Sequence, residues 1–393
     1  MTVFSSVGEA RITSAGARRL RRGHLWVYAG DVAQEPAPSN DHSMVRVMDE
    51  AGNPLGYALY SRHSEIRLRL ISREFDPPTE EFLRSRVLAS IARRGRSDSP
   101  LSAGRLIFGE ADLLPSIIVD RYGEYLVLQT LSYGADALKP VLLDILVDLL
   151  HPKGIMERND VKARRLEGLE ERKGVIFGTV PGMVEIAENS VRFLVDIAAG
   201  QKTGFFLDQR ENRIAARAYA RGRAMDCFTN TGAFALHFAP RCSSILAIDV
   251  SGDSLAQAKR NAELNGVTSV GFREGNAFDL LRELEQAGEG FDTICLDPPA
   301  FAKNRRALAG ALGGYKEINL RAMKLLSPEG ILVTSSCSYH LSETAFLDLL
   351  CQSARDARRY LQILERRGQA SDHPTLASMP ETQYLKCFVM RIL

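Results

Sequence analysis

One stretch constrains this chain more than any other. Residues 223–250, RAMDCFTNTGAFALHFAPRCSSILAIDV, read as an apolar strand from Ala224 to Phe228, a turn of small residues (Thr229-Asn230-Thr231-Gly232), a helix, and a second strand, Ser244 to Ile248, that ends on Asp249. This is a βαβ unit with parallel strands. A small-residue turn opening a helix lets a ligand approach the backbone where unpaired N–H groups sit. Asp249, seventeen residues after Gly232, falls at the carboxyl end of its strand, where a carboxylate accepts from both hydroxyls of a ribose. The turn lacks a GxGxxG fingerprint and so lacks a pyrophosphate cradle. A nucleoside cofactor without phosphates fits better than NAD or FAD. S-adenosylmethionine (SAM) is the cofactor expected, with Thr229, Asn230, Gly232 and Asp249 as its contacts, and an α/β core unit that binds nothing is the alternative.

The 393 residues are enough for two or three domains with real cores. No apolar run reaches the length of a membrane span, and the first residues carry no hydrophobic leader, so a cytoplasmic protein without membrane contact is expected. The six cysteines (Cys227, Cys242, Cys295, Cys337, Cys351, Cys387) are scattered without a CxxC pair, which argues against a metal site or a disulfide scaffold.

Three segments differ in pattern. Residues 1–74 read as a small β-rich domain, with strands at Met44 to Met48, Leu55 to Tyr60 and Glu65 to Ile71. Residues 75–190 read as a connector helix, Glu80 to Arg94, and a strand-strand-helix-strand-strand module. Residues 191–393 alternate strand and helix, which requires a parallel sheet, and end on an antiparallel pair tucked at its edge.

Net charge is only +2, but residues 1–105 hold 16 Arg and no Lys against 12 acidic residues. Arginine suits planar contact with phosphates and bases. Residues 18–28, RRLRRGHLWVY, interleave Arg18, Arg19, Arg21 and Arg22 with His24, Trp26 and Tyr28, the mixture of charge and stacking surface that RNA contact needs. In the third strand Arg67 and Arg69 share one face, expected to be basic, opposite the apolar Ile66, Leu68 and Leu70.

In open parallel sheets ligands bind beyond the carboxyl ends of the strands. Besides the Thr229 to Gly232 turn and Asp249, two further features are expected there: Asp297-Pro298-Pro299, whose paired prolines make a stiff ledge for a planar base, and Ser336-Cys337-Ser338. Asn276 and Ala277, ending the third strand, are placed to meet an adenine, with a plain helix N-cap as the alternative for Asn276. Cys337 is the cysteine framed by small polar residues at a strand exit and is the expected nucleophile. Carbon 5 of a pyrimidine attacks a methyl donor only after a thiolate has added at carbon 6, with Asp297 positioned on the ring edge.

The chain resembles, over nearly its whole length, bacterial 23S ribosomal RNA cytosine-5 methyltransferases. The residues that carry the resemblance are 23–28 (GHLWVY), 202–210 (KTGFFLDQR), 227–232 (CFTNTG), 297–301 (DPPAF), 314–319 (GYKEIN), 336–338 (SCS) and 372–374 (DHP). The resemblance implies an α/β fold: a Rossmann-like class I SAM methyltransferase domain, preceded by a small β-barrel PUA-like domain and an α+β EEHEE module. It implies Cys337 as the nucleophile, and Thr229, Asn230, Gly232, Asp249, Asn276, Ala277, Asp297 and Gln209 around SAM. The implied partner is 23S ribosomal RNA, naked or in an early assembly intermediate, and a homodimer is compatible with the pattern. Two positions depart from the family: Asn276 stands where Asp is common, and Ala300 where a lysine often follows Asp-Pro-Pro. Uracil-5 methylation, purine N-methylation and a non-catalytic role in ribosome assembly stay open as alternatives.

Overall fold

From Arg210 onward, strands and helices alternate as a parallel sheet demands. The computed structural model describes residues 7–37, 42–95, 99–200, 203–301 and 308–393. The chain divides into two units: Met1–Ile186 with Val195–Leu207 and Ser371–Thr382, and Ala187–Leu194 with Asp208–Ala370 and Gln383–Leu393. Lys202, part of the 202–210 motif, lies outside the described residues.

The second unit contains α1 (Arg210–Tyr219), β1 (Gly222–Cys227), α2 (Ala233–Phe238), β2 (Cys242–Asp249), α3 (Gly252–Leu264), β3 (Val270–Glu274), α4 (Ala277–Gln286), β4 (Phe291–Leu296), α5 (Leu308–Leu325), β5 (Leu326–Ser336), α6 (Glu343–Asp356), β6 (Leu361–Arg367) and β7 (Lys386–Ile392). The sheet order is β3-β2-β1-β4-β5-β7-β6. β1 to β5 pair parallel, and β7 runs antiparallel between β5 and β6. The antiparallel pair therefore lies at the edge of the sheet, as expected, with β6 outermost. Met225, Ile294, Leu332 and Val333 are fully buried because helices cover both faces of the sheet, which is why these strands read as apolar runs. α4, α5 and α6 pack one face; α1 and α2 contribute to the other.

The first unit holds a six-stranded sheet (Val7–Ile12, Trp26–Tyr28, Val32–Gln34, Met44–Met48, Pro54–Tyr60, Ile66–Ser72) with a helix, Ser14–Arg21. Thr13 caps that helix, its hydroxyl accepting from the Gly16 N–H, and Arg18, Arg19 and Arg21 fill the last turn, where cations offset the helix dipole. A five-stranded sheet follows: Ala103–Phe108, Ile117–Tyr122, Tyr125–Thr130, Gly154–Asn159 and Arg172–Gly178. The expected module lacked the first of these. Its sequence, AGRLIF, disguises a strand, since Arg105 is satisfied inside the fold by Asp120, which accepts from the Arg105 Nε at 2.7 Å. A hairpin, Val184–Glu188 with Val191–Val195, spans residue 190. Among the described residues no helix is long and apolar enough to cross a membrane, and no His, Cys, Asp or Glu group is arranged to hold a metal.

Candidate active site and nucleic-acid interface

The ladder sets Cys227 of β1 beside Ile248 of β2 and Leu296 of β4, and Leu296 beside Thr334 of β5. The strand ends carrying the Thr229 turn, Asp249, Asp297 and Cys337 are therefore neighbours. The order of the sheet reverses between β1 and β4, the place where such folds bind ligands.

After β1 the backbone turns through Phe228 (φ 64°), Asn230 (φ 49°) and Gly232 (φ 85°). Left-handed geometry at two non-glycine residues costs about 1 kcal/mol or more each and persists where the surroundings impose it. A Cβ at Gly232 would also meet the Ala258 Cβ at 3.2 Å, so two constraints select glycine. Half-buried Asp249 is gripped from two loops: Oδ2 accepts from the Asn230 N–H and Oδ1 from the Ser251 N–H, each at 2.9 Å. Each oxygen keeps a lone pair for a further hydroxyl. Asn276 is exposed and caps α4, its Oδ1 accepting from the Phe278 N–H at 2.9 Å. The acceptor atom invoked for adenine is thus already engaged in the cap, and Ala277 is buried behind it.

The run read as apolar, Ala224 to Phe228, conceals an acid. Asp226 is buried in β1 and its Oδ2 accepts from the Thr229 hydroxyl at 2.6 Å and the Ala235 N–H at 2.9 Å. The Thr229 side chain therefore braces the turn. Burial, with nearby Asp297 adding repulsion, pushes the Asp226 carboxyl up to about 7. Gln209, expected among the cofactor contacts, is buried: its side-chain amide donates to Asp297 Oδ1 at 2.8 Å and its Oε1 accepts from Asn212 at 2.6 Å. Gln209 orients Asp297, a contact that only the tertiary structure brings about.

Cys337 follows β5 and is partly exposed, whereas Cys227, Cys242, Cys295 and Cys387 are buried. Burial pushes the Cys242 thiol up to about 11 and Cys387 to about 12, and raises Cys227 and Cys295 as well. These four stay protonated near neutral pH and are poor nucleophiles. Cys351, though exposed, is carried on α6 away from the strand ends. The turn bearing Cys337 is braced by Tyr315, whose buried hydroxyl lies 3.0 Å from both the Ser336 and Ser338 hydroxyls. Phe301, following the Asp-Pro-Pro ledge, packs on Tyr315 with ring centroids 4.6 Å apart.

The arginines of the first unit divide. Arg18 and Arg22 are exposed and, with Ala15, Arg19, His24 and Ser378, line a hollow of about 390 Å³. Arg19 pairs with Asp31, Arg21 with Asp49 at 2.6 Å, and Arg67 with Glu35 at 3.1 Å. The Trp26 indole N–H donates to Glu110 at 3.0 Å, and His24 Nε2 sits 3.4 Å from Glu381. Arg69 overturns the expected basic face. It is buried and pairs with Glu167 at 2.8 Å, because the segment Lys162–Glu167 supplies a carboxylate that also accepts from Ser64.

Comparison with known proteins agrees with this geometry. An S-adenosylmethionine-dependent methyltransferase family model matches residues 175–391. The chain belongs to that family. A PUA-like domain model matches residues 10–73. Proteins named ribosomal RNA large subunit methyltransferase I are similar to this SAM-dependent methyltransferase over 96% of its length: that of Tolumonas auensis is 42% identical over 385 residues and that of Erwinia tasmaniensis 40% over 388, each covered to 97%. A solved methyltransferase complexed with SAH shares the fold, with a TM-score of 0.83 and 20% identity over 98% of this chain and 100% of that one.

Proposed function

We propose that this methyltransferase modifies carbon 5 of a cytosine in 23S ribosomal RNA through a covalent bond between Cys337 and carbon 6. The observation that carries the reading is the placement of a partly exposed thiol, Cys337, at the sheet's ligand-binding end near the Asp297 ledge, while four other thiols are buried. The names of the full-length relatives support ribosomal RNA of the large subunit as substrate.

In this reading the Cys337 thiolate adds to carbon 6 and the electron pair of the 5,6 double bond moves to carbon 5. SAM, when bound, supplies an electrophilic methyl group there. Loss of the carbon 5 proton, to water in the absence of a second thiol, restores the double bond and expels the thiolate. Asp297, held by Gln209, hydrogen-bonds the ring edge of the base during addition. Asp249, Asn230, Gly232 and Ala277 line the SAM site, with Asn276 and Thr229 shaping its walls. Residues 1–74 contribute RNA affinity, residues 191–393 the chemistry, and residues 75–190 link them.

RNA carrying 5-fluorocytosine at the target decides the matter, because fluorine cannot leave as a proton and elimination stalls. The wild-type protein with SAM should give an adduct that survives denaturing electrophoresis, and Cys337→Ala should give none. Methylation by Cys337→Ala near the wild-type rate would sink the covalent mechanism.

A further inference from the structure

β7 pairs antiparallel with β5 so that Lys386 stands opposite Ser336, one residue before Cys337. The side chain is buried. Its Nζ donates to the Ser338 carbonyl at 2.7 Å and to the Tyr384 carbonyl at 2.9 Å, which uses two of the three ammonium hydrogens. No carboxylate forms an ion pair with it among the described residues, unlike the buried Arg69 and Arg213, which pair with Glu167 and Glu188. A buried cation without a paired anion is costly to keep.

Three charged or titratable groups meet around the Cys337 turn. Lys386 comes from β7, Tyr315 from α5, and Glu343 from the start of α6. Burial draws the Lys386 ammonium down to about 8, opposed by the negative charges of Cys337 and Glu343. Burial also raises the Tyr315 phenol, which therefore stays neutral. The negative charges that offset the lysine are thus those of a thiolate at position 337 and of Glu343. Tyr315 holds the hydroxyls of Ser336 and Ser338, and Lys386 holds the Ser338 carbonyl, so the turn is pinned on both sides of the cysteine.

We propose that Lys386 is the positioning residue for Cys337: it clamps the turn through the Ser338 carbonyl and supplies the positive charge against which the thiolate forms. The proposal rests on the reading of Cys337 as nucleophile. Lys386 transfers no proton in this role: the thiol proton passes to water, and near neutral pH, below its value of about 8, the lysine is an ammonium.

The test is the rate at which iodoacetamide alkylates Cys337 in the full-length protein, followed by mass spectrometry of its peptide across roughly pH 6 to 10. Lys386→Met should raise the midpoint of that profile by about one unit, so that alkylation near neutral pH slows about tenfold and recovers at alkaline pH. A purely structural role would slow it at every pH. Lys386→Arg keeps the charge and should keep the wild-type midpoint. Lys386→Gln keeps a donor for the Ser338 carbonyl without the charge, and should shift the midpoint as Met does even if Met disturbs the fold. SAM affinity, measured by calorimetry, should be unchanged in each. A wild-type midpoint in Lys386→Gln, with Cys337→Ala inactive as a methyltransferase, overturns the role of Lys386 alone. Methylation surviving in Cys337→Ala overturns the nucleophile reading, and this proposal with it.

Discussion

The sheet that carries Cys337 and the arginine-rich region of residues 18–69 were both marked by sequence pattern, and the structure treats them differently. In the sheet, Asp249, Asp297 and Cys337 stand at the ends of β2, β4 and β5 and arrive together because strand ends in a parallel sheet share one rim. In the arginine-rich region, exposure depends on whether a carboxylate arrives from elsewhere. Arg18 and Arg22, on and just after a helix, face solvent, while Arg69, on a strand, is buried against Glu167. Topology thus carries a strand-end residue to the site, whereas an arginine's role is set by the partner the rest of the chain delivers.

The largest expected effect breaks the sheet side of this comparison. Cys337→Ala should lower methylation by roughly a thousandfold or more, as removal of a covalent nucleophile does, without changing thermal stability. Cys227→Ala and Cys295→Ala should do the reverse, costing stability while leaving the adduct chemistry in place. An equal loss of activity in all three folded variants would show that the thiols were misassigned.

Next comes Arg69, where truncation leaves Glu167 buried without its cation. Arg69→Ala should destabilise by about 3 to 5 kcal/mol, whereas Arg22→Ala should stay within about 0.5 kcal/mol. Urea unfolding of the two variants measures the contrast, and equal stabilities would erase the distinction between paired and unpaired arginines.

Asp249→Ala should weaken SAM binding by roughly tenfold to a hundredfold, the equivalent of about 1.5 to 3 kcal/mol for charge-assisted hydrogen bonds. Calorimetry on the Arg18→Glu, Arg22→Glu double variant should return wild-type SAM affinity. The same double variant should bind ribosomal RNA about tenfold more weakly at low salt, and the slope of log affinity against log salt should shrink by about 2. Unchanged RNA affinity would make the arginine hollow a solvated surface.

The smallest effect concerns acid stability. The Arg213 guanidinium holds buried Glu188 at about 2 against the desolvation that opposes ionisation. A carboxyl depressed in the folded state contributes stability that is present above its unfolded value, near 4.5, and is lost as pH falls toward 2. Glu188→Gln should therefore flatten the fall of melting temperature over that acidic window. An unaltered acid limb would place the loss elsewhere.

Much of the fold was legible because it is local. The βαβ stretch, the small-residue turn and the alternation after residue 207 need only the periods of strand and helix and the preference of glycine for left-handed φ, as at Gly232. Those rules also carried Asp249, Asp297 and Cys337 to one rim. Other features were invisible because their determinants are far apart in the chain. The Gln209 amide reaches Asp297 across 88 positions, and Lys386 reaches Ser338 across 48. Asp226 hid in an apolar run for a different reason: its partners, Thr229 and Ala235, are near in sequence but meet it only when the turn closes. The sequence by itself determined the parallel sheet and which side chains reach its ligand-binding end, since strand and helix periods act over a few residues. Only the tertiary structure decided which charges are neutralised and which face solvent, since burial and ion pairing depend on what the distant chain brings alongside.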